Sequence, residues 1–442
     1  MSLVAVRAQD TRTVNEPVIP PVCTTLRAAL QGPIAPADEL KLDTERLQAA
    51  LDHCAPGHAV ELAADGAHDA FLSGPLELRA GVTLLIDKGV TLYGSRNPAV
   101  YATSPGSCGV VDDRRGGCRP LIHGEQVPHT AIMGDGVIDG RGGATMIDAQ
   151  GQPQRETWWD LAQDARKGGH QQVPRLIIMD HSDDFTLYRI TLKNSANFHV
   201  SYNFGNGFTV WGLKIDTPKN ARNTDGVDPS ASSNITVTHS YIRDGDDNIA
   251  IKGGAGPVTN MTVIHNHFYY GHGMSIGSET TRGVSKLRVT DLSLDGTDAG
   301  VRIKSAQSFG GLVHDVVYDD LCIRNSRTPI QLDMNYSANP SPVTGLFPVF
   351  LDIVLQNVRI EGGGKIVMNG FDTKHRIGVQ LDGVMFLDDP AQYTYQVKHA
   401  DVTLGPGPVN LVPVGEDSTL RGKAGKGTLA GCDAKFVPFP AE

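Results

Sequence analysis

The feature that most limits how this chain can fold is an apolar spacing that keeps returning. Apolar residues at offsets 0, +2, +5 and +7 occur as Phe185, Leu187, Ile190 and Leu192, and again as Phe208, Val210, Leu213 and Ile215. The pattern restarts at Ile235, Met261, Leu287, Val316, Ile353 and Val379, with Ser240 and Asn266 taking the third place in two of these units. Successive starts lie 23, 27, 26, 26, 29, 37 and 26 residues apart. Offsets 0 and +2 put two side chains on one face of a strand, and the break to +5 and +7 marks a bend into a second short strand. A third inward pair closes the unit: Val227 and Pro229, Ile249 and Ile251, Met274 and Ile276, Val301 and Ile303, Ile330 and Leu332. A period of this length built from short strands predicts an all-β solenoid, a parallel β-helix with three strands per coil.

A core that grows along one axis lets 442 residues form a single domain. A pair of β-sandwiches, the competing fold, leaves the sustained period unexplained. One helix is expected at about residues 43–53, with Asp43 as N-cap and Leu47, Ala50 and Leu51 at helical spacing, where it would cap the exposed first coil. The expected organisation is an extension over residues 1–20 and one β-helix domain over 21–442. Within that domain the cap covers about 40–55 and an irregular tail about 400–442. Glycine, at 50 residues, suits such a turn-rich chain.

The formal net charge of −10 argues against nucleic-acid or anionic-membrane partners, and no run approaches the ~18 apolar residues of a membrane span. The six cysteines include no Cys-x-x-Cys pair, so zinc-ribbon spacing is absent. They allow about 15 pairings. Cys108 and Cys118 bracket a short loop of the kind a local disulfide closes, and Cys322 falls at the outward offset +6 of its coil. The first residues contain no apolar stretch of signal-peptide length. The cysteines nonetheless favour a secreted protein whose signal peptide is absent from this sequence.

Aligning the coils shows which outward side chains stack. Asp225, Asp247 and His272 each lie two residues before the first member of a closing pair, and Asp246 joins them. One coil further, Arg302 and Lys304 project outward from the closing strand. Carboxylates and an imidazole on consecutive coils repel or perturb one another, which is a property of sites and not of stability devices. With no metal-ligand spacing and no nucleophile motif, the cluster suits hydrolysis of a glycosidic bond, one carboxylic acid protonating the leaving oxygen while another carboxylate activates water. The adjacent Arg and Lys imply an anionic substrate such as a uronic-acid polymer. Asp183-Asp184, Asp319-Asp320 and Asp388-Asp389 read as solvated turn residues. The sequons at Asn234, Asn260 and Asn335 read mainly as turn geometry.

At these residues the chain resembles a known family. Asn223-Thr224-Asp225-Gly226, Gly245-Asp246-Asp247, Gly271-His272-Gly273 and Arg302-Ile303-Lys304, in this order, resemble the four signatures of the family 28 glycoside hydrolases, the polygalacturonases. The likeness runs from about Thr13 to about residue 400 and is strongest to bacterial secreted endo-polygalacturonases. Asn194-Ser195-Ala196-Asn197-Phe198-His199 departs from the family's usual Asn-Ser-Pro. The resemblance implies a right-handed parallel β-helix and inverting hydrolysis of α-1,4-linked galacturonic acid, with no cofactor and a monomeric enzyme. It gives Asp246 the place of the general acid, Asp225 and Asp247 that of the pair activating water, and His272 that of the histidine sustaining the acid's protonation. Arg302 and Lys304 take the place of the binders of the substrate carboxylate, with Asn223 beside them, and Tyr336 that of an aromatic sugar contact. Cys23–Cys54 and Cys108–Cys118 bridges follow from it, whereas Cys322–Cys432 is an addition that would tie down the tail. Rival readings are an exo-acting enzyme, with segments 140–175 and 333–349 closing the cleft, a calcium-dependent pectate lyase, and a non-catalytic β-helix that binds acidic polysaccharide.

Overall fold

The structure is a computed structural model that describes residues 9–336 and 345–441. Parallel strands dominate it, and the α-helices are short: Thr44–His53, Pro98–Tyr101 and Trp158–Asp164. Two compact units are present. The N-proximal unit comprises residues 15–228 and 242–246, and the C-proximal unit comprises residues 9–14, 229–241 and 247–441. Each is a stack of parallel β-helical coils.

Within both units the apolar columns fall in the expected register. In the N-proximal unit Phe185 lies beside Phe208 and Leu187 beside Val210, and the two phenylalanine rings stack with centroids 5.4 Å apart. In the C-proximal unit Ile235, Met261, Leu287, Val316, Ile353 and Val379 form one column through successive parallel pairs. Ile249, Met274, Val301 and Ile330 form a second column in the closing strands. These side chains are buried, so the column supplies the hydrophobic stabilisation of each coil. The two polar places in the pattern satisfy each other. Asn266 Oδ1 accepts the Ser240 N–H at 2.9 Å, and its amide donates to the Val237 and Ile264 carbonyls.

The bends come from single residues in the left-handed region. Offset +4 has positive φ at Arg189, Gly212, His239, His265, Asp291, Asp320, Asn357 and Gly383. The residue before the start of the pattern does the same at Asp184, Gly207, Asn234, Asn260, Lys286, Asp315 and Asp352. Asn, Asp, His and Gly tolerate this conformation best, which explains most of these choices. Asn234 and Asn260 thus serve turn geometry, as expected for these two sequons.

The expected cap is the helix Thr44–His53, with Leu47 and Leu51 buried. Asp43 precedes it but does not cap it through its side chain. Its carboxylate is buried and instead accepts from Arg46 Nε and from the Leu72 N–H, tying the helix to the strand Ala70–Ser73. The described part of the extension is docked. Asp10 is buried and accepts the Thr236 hydroxyl in the C-proximal unit, while Glu16 accepts the Tyr188 hydroxyl in the N-proximal unit. Segment 140–175 forms a hairpin (Thr145–Ile147 with Pro153–Thr157), the helix Trp158–Asp164 and the strand His170–Gln172, which pairs with Val110–Asp112. In the other expected wall, residues 337–344 lie outside the described residues.

The acidic doublets are not merely solvated. Asp319 accepts from Arg288 and Asn357, Asp320 pairs with Arg359 and Lys435, and Asp388 accepts from the Gly362 N–H and the Tyr393 hydroxyl. Asp319 and Asp320 belong to the strand Leu312–Arg324, where basic residues of neighbouring coils and of the tail reach them.

Three disulfides are present, Cys23–Cys54, Cys108–Cys118 and Cys322–Cys432. The last holds the tail across 110 residues of sequence. Beside it Lys435 pairs with Asp291 and Asp320, and Arg324 lies 4.0 Å from the Phe436 ring centroid. Replacing both Cys322 and Cys432 by serine is expected to lower stability by about 2–4 kcal/mol. Hydrogen exchange should rise over residues 423–441 and much less in the coils. Unchanged exchange in that segment would mean that the Lys435 and Phe436 contacts alone hold the tail.

Candidate active site

The N-proximal unit carries Asn223, Asp225 and Asp246. Asn223 has φ +58°, and its side-chain oxygen accepts from Gln171 Nε2 at 3.1 Å. The Thr224 hydroxyl donates to the Ala221 carbonyl at 2.6 Å and accepts the Gly245 N–H at 3.0 Å. A Cβ at Gly245 would stand 1.9 Å from the Ala221 carbonyl oxygen, so only glycine lets the turn bearing Asp246 lie against the turn bearing Asp225. Asp246 is half-buried and its N–H donates to Asp244 Oδ1.

Asp225 is buried, and its carbonyl accepts two bonds from His199, from N–H at 2.8 Å and from Nδ1 at 3.0 Å. Nδ1 therefore carries the proton, and Nε2 accepts from the Thr217 hydroxyl at 2.8 Å. Burial pushes the imidazole down to about 4, so it is neutral at ordinary pH. His199 positions the Asp225 backbone. The sequence reading placed it in a supporting stretch and gave it no role.

The C-proximal unit carries Asp247, His272, Arg302, Lys304 and Tyr336. Asp247 is buried at the centre of four donors or charges. Arg302 Nη1 and Ser275 Oγ donate to Oδ1, each at 2.7 Å, and Lys304 Nζ donates to Oδ2 at 2.7 Å. His272 Nδ1 lies 4.0 Å from Oδ1. Burial pushes the carboxyl up, but Lys304, Arg302 and His272 outweigh it and hold the group well below the usual carboxylate range. Asp247 is thus a permanent anion. Its fixed ionisation follows from the closing strand, where Ser275 pairs with Arg302 and the alternation sends Arg302 and Lys304 to the same face.

Tyr336 lies over both cations, its ring centroid 5.4 Å from Arg302 Cζ and 5.3 Å from Lys304 Nζ. It is therefore not an isolated surface tyrosine. His272 Nε2 also approaches Asp298 Oδ2 at 3.5 Å. Asp298 was not singled out from sequence, yet it lies three residues before Val301, as Asp246 lies three before Ile249, so the coil alignment contained the signal. Asn248 fixes the Gly271-His272-Gly273 turn by accepting the Gly273 N–H at 3.0 Å and donating to the Tyr270 carbonyl. A Cβ at Gly273, where φ is +85°, would stand 2.0 Å from the Ala299 carbonyl.

Residues 54–403 match the family described as glycosyl hydrolases family 28. The chain belongs to that family. It is a glycoside hydrolase with the family's right-handed parallel β-helix. Among its relatives is an endo-polygalacturonase of Pectobacterium carotovorum subsp. carotovorum, 42% identical over 89% of this chain and 93% of the relative. A polygalacturonase of Ralstonia nicotianae is 38% identical over 96% of this chain and 92% of its own length. The solved polygalacturonase from Erwinia carotovora ssp. carotovora matches with a TM-score of 0.81 and 42% identity, covering 89% of this chain and 99% of that one. An exopolygalacturonase from Thermotoga maritima, at 18% identity and a TM-score of 0.70, shares the fold.

Two stability measurements test this geometry. The unfolded chain protonates His199 below its ordinary value of 6.5, whereas the folded chain resists protonation down to about 4. The stabilisation is complete above pH 6.5 and is lost as pH falls through that window, by about 3 kcal/mol in all. His199→Gln should flatten this part of the pH–stability curve, and an unchanged slope would mean that His199 is protonated in the folded protein. Asp247→Asn is expected to destabilise by about 3–5 kcal/mol, because it strands Arg302 and Lys304 without their buried counter-ion. Denaturant midpoints equal to wild type would remove Asp247 from that role.

Proposed function

We propose that this family 28 hydrolase is an endo-polygalacturonase, cleaving α-1,4 bonds between galacturonic acid units of pectin or polygalacturonate with inversion. Asp246 protonates the leaving oxygen, Asp225 and Asp247 activate the attacking water, and His272 sustains the protonation of Asp246. Arg302 and Lys304 hold the substrate carboxylate, with Asn223 and Tyr336 as further sugar contacts. The enzyme works as a secreted monomer without a cofactor, its pectinase domain running from about residue 21. Among the described residues no helix is long and apolar enough to cross a membrane.

The observation that carries this reading is the pair of cations beside Asp247. Arg302 and Lys304 are both buried and stand on one face of the closing strand. Guanidinium and ammonium groups held in this way suit the carboxylate of a uronate. The same cations keep Asp247 ionised, which unsuits it to donate a proton and leaves it as a fixed anion that can orient the attacking water. The names of the bacterial relatives support the endo mode.

Polygalacturonate should lose viscosity early in digestion, and NMR of the first products should show inversion at the anomeric carbon. Asp246→Asn and Asp225→Asn should each lower kcat by about 10²–10⁴-fold. Release of monomer or dimer alone would mean exo action, and an unsaturated, ultraviolet-absorbing product would mean elimination. Retained configuration, or most of the activity surviving in either variant, would overturn the assigned roles.

A further inference from the structure

A second basic site lies in the N-proximal unit. A cavity of about 480 Å³ there falls in the size range of small-ligand pockets and has Arg115, His170, Arg175, Arg222, Asn223 and Phe198 on its walls. No carboxylate side chain lines it, although the chain carries a net charge of −10. Among the described residues, none of the three arginines has a carboxylate within ion-pair distance. Arg115 Nε approaches His170 Nε2 at 3.4 Å, Arg222 Nη1 donates to the Ala162 carbonyl at 2.6 Å, and Arg175 Nη1 reaches the Ser201 hydroxyl at 3.3 Å. Arg175 also lies over the Phe198 ring, 4.5 Å from its centroid. Burial disfavours its charge and Arg115 adds repulsion, while Asp228, Asp225 and Asp180 attract it only from beyond contact distance. An anion entering the cavity could therefore pair directly with guanidinium groups that no carboxylate on the cavity walls occupies.

The pocket is built rather than incidental. Arg115 sits on the loop closed by Cys108–Cys118, and Gln172 Oε1 accepts the Gly117 N–H of that loop at 2.9 Å. Gln171, next along the same strand, donates to Asn223, two residues before Asp225. The disulfide loop and segment 140–175 thus form the walls of a site that adjoins a catalytic turn.

We propose that this cavity binds the carboxylate of a second uronate unit of the polymer, through Arg115 and Arg175 with Arg222 beside them, and so selects de-esterified substrate independently of Arg302 and Lys304. The inference rests on the polygalacturonate reading above. The site makes charge-assisted bonds to a carboxylate and has no equivalent partner for a methyl ester.

The test compares the wild type with Arg115→Gln, on the exposed loop, and Arg175→Gln, using polygalacturonate and its highly methyl-esterified form. Each variant is expected to raise KM for polygalacturonate about 10- to 100-fold. The preference for de-esterified over esterified polymer, as a ratio of kcat/KM, should shrink by a similar factor while Tm stays close to wild type. Arg175→Lys should restore part of both. If the wild type cleaves polygalacturonate but both variants keep its KM and its ester preference, this proposal falls and the function stands. A drop in kcat and Tm with the ester preference intact would make the arginines structural and overturn it equally. A wild type that does not cleave polygalacturonate at all sinks the functional reading itself.

Discussion

Parallel pairing between closing strands makes neighbours of residues that are far apart in sequence. Ser275 and Arg302 meet only because Met274 and Val301 lie side by side in one apolar column. The inward side chains fix the register, and the outward side chains inherit it, since alternation along a strand leaves no freedom to slip by one residue. The Asp247 cluster is in this sense a by-product of core packing. Its four partners come from two further coils, and none of them could be displaced by a single coil without moving a buried column.

That inheritance has an electrostatic cost. Asp247, Arg302 and Lys304 are all nearly inaccessible to water, and removing any one of them leaves a buried charge without its partner. A solvated triad would tolerate the loss of a member, whereas a buried one does not. The residues assigned to chemistry are therefore also residues that hold the fold, and activity and stability are coupled at this point more tightly than their outward direction suggests.

Much of this was legible in the sequence because inward positions repeat. Phe185 over Phe208, and Ile235 through Val379, follow from apolar spacing alone, and the closing pairs led from there to Asp247, His272, Arg302 and Lys304. What stayed hidden depends on which unlike residues meet across coils. Asp298 stands at a different outward place from the one that was aligned, His199 acts through a backbone carbonyl, and Ser275 and Asn248 look like ordinary polar residues of a β-rich chain. Asp43 looked like a helix cap, but a buried strand N–H and an arginine compete for its carboxylate. Asp320 looked solvated because Lys435, more than a hundred residues later, gives no local sign of its approach.

The single left-handed residue at the +4 bend has a consequence for how such a chain can change over time. From Leu187 and Ile190 to Leu381 and Val384 that corner keeps one length, so an insertion there would break the register of everything after it. Length varies instead at the two ends of the closing strand. In the N-proximal unit the chain takes a long detour between Ile138 and Ile177 while the coil beneath keeps its pairing, and in the C-proximal unit a stretch of extra sequence separates Leu332 from Ile353. Insertions and deletions are thus steered to the ends of the closing strand in each unit. Relatives can acquire deeper walls, narrower ends or new sugar contacts by changing loop length alone, without altering a residue of the core.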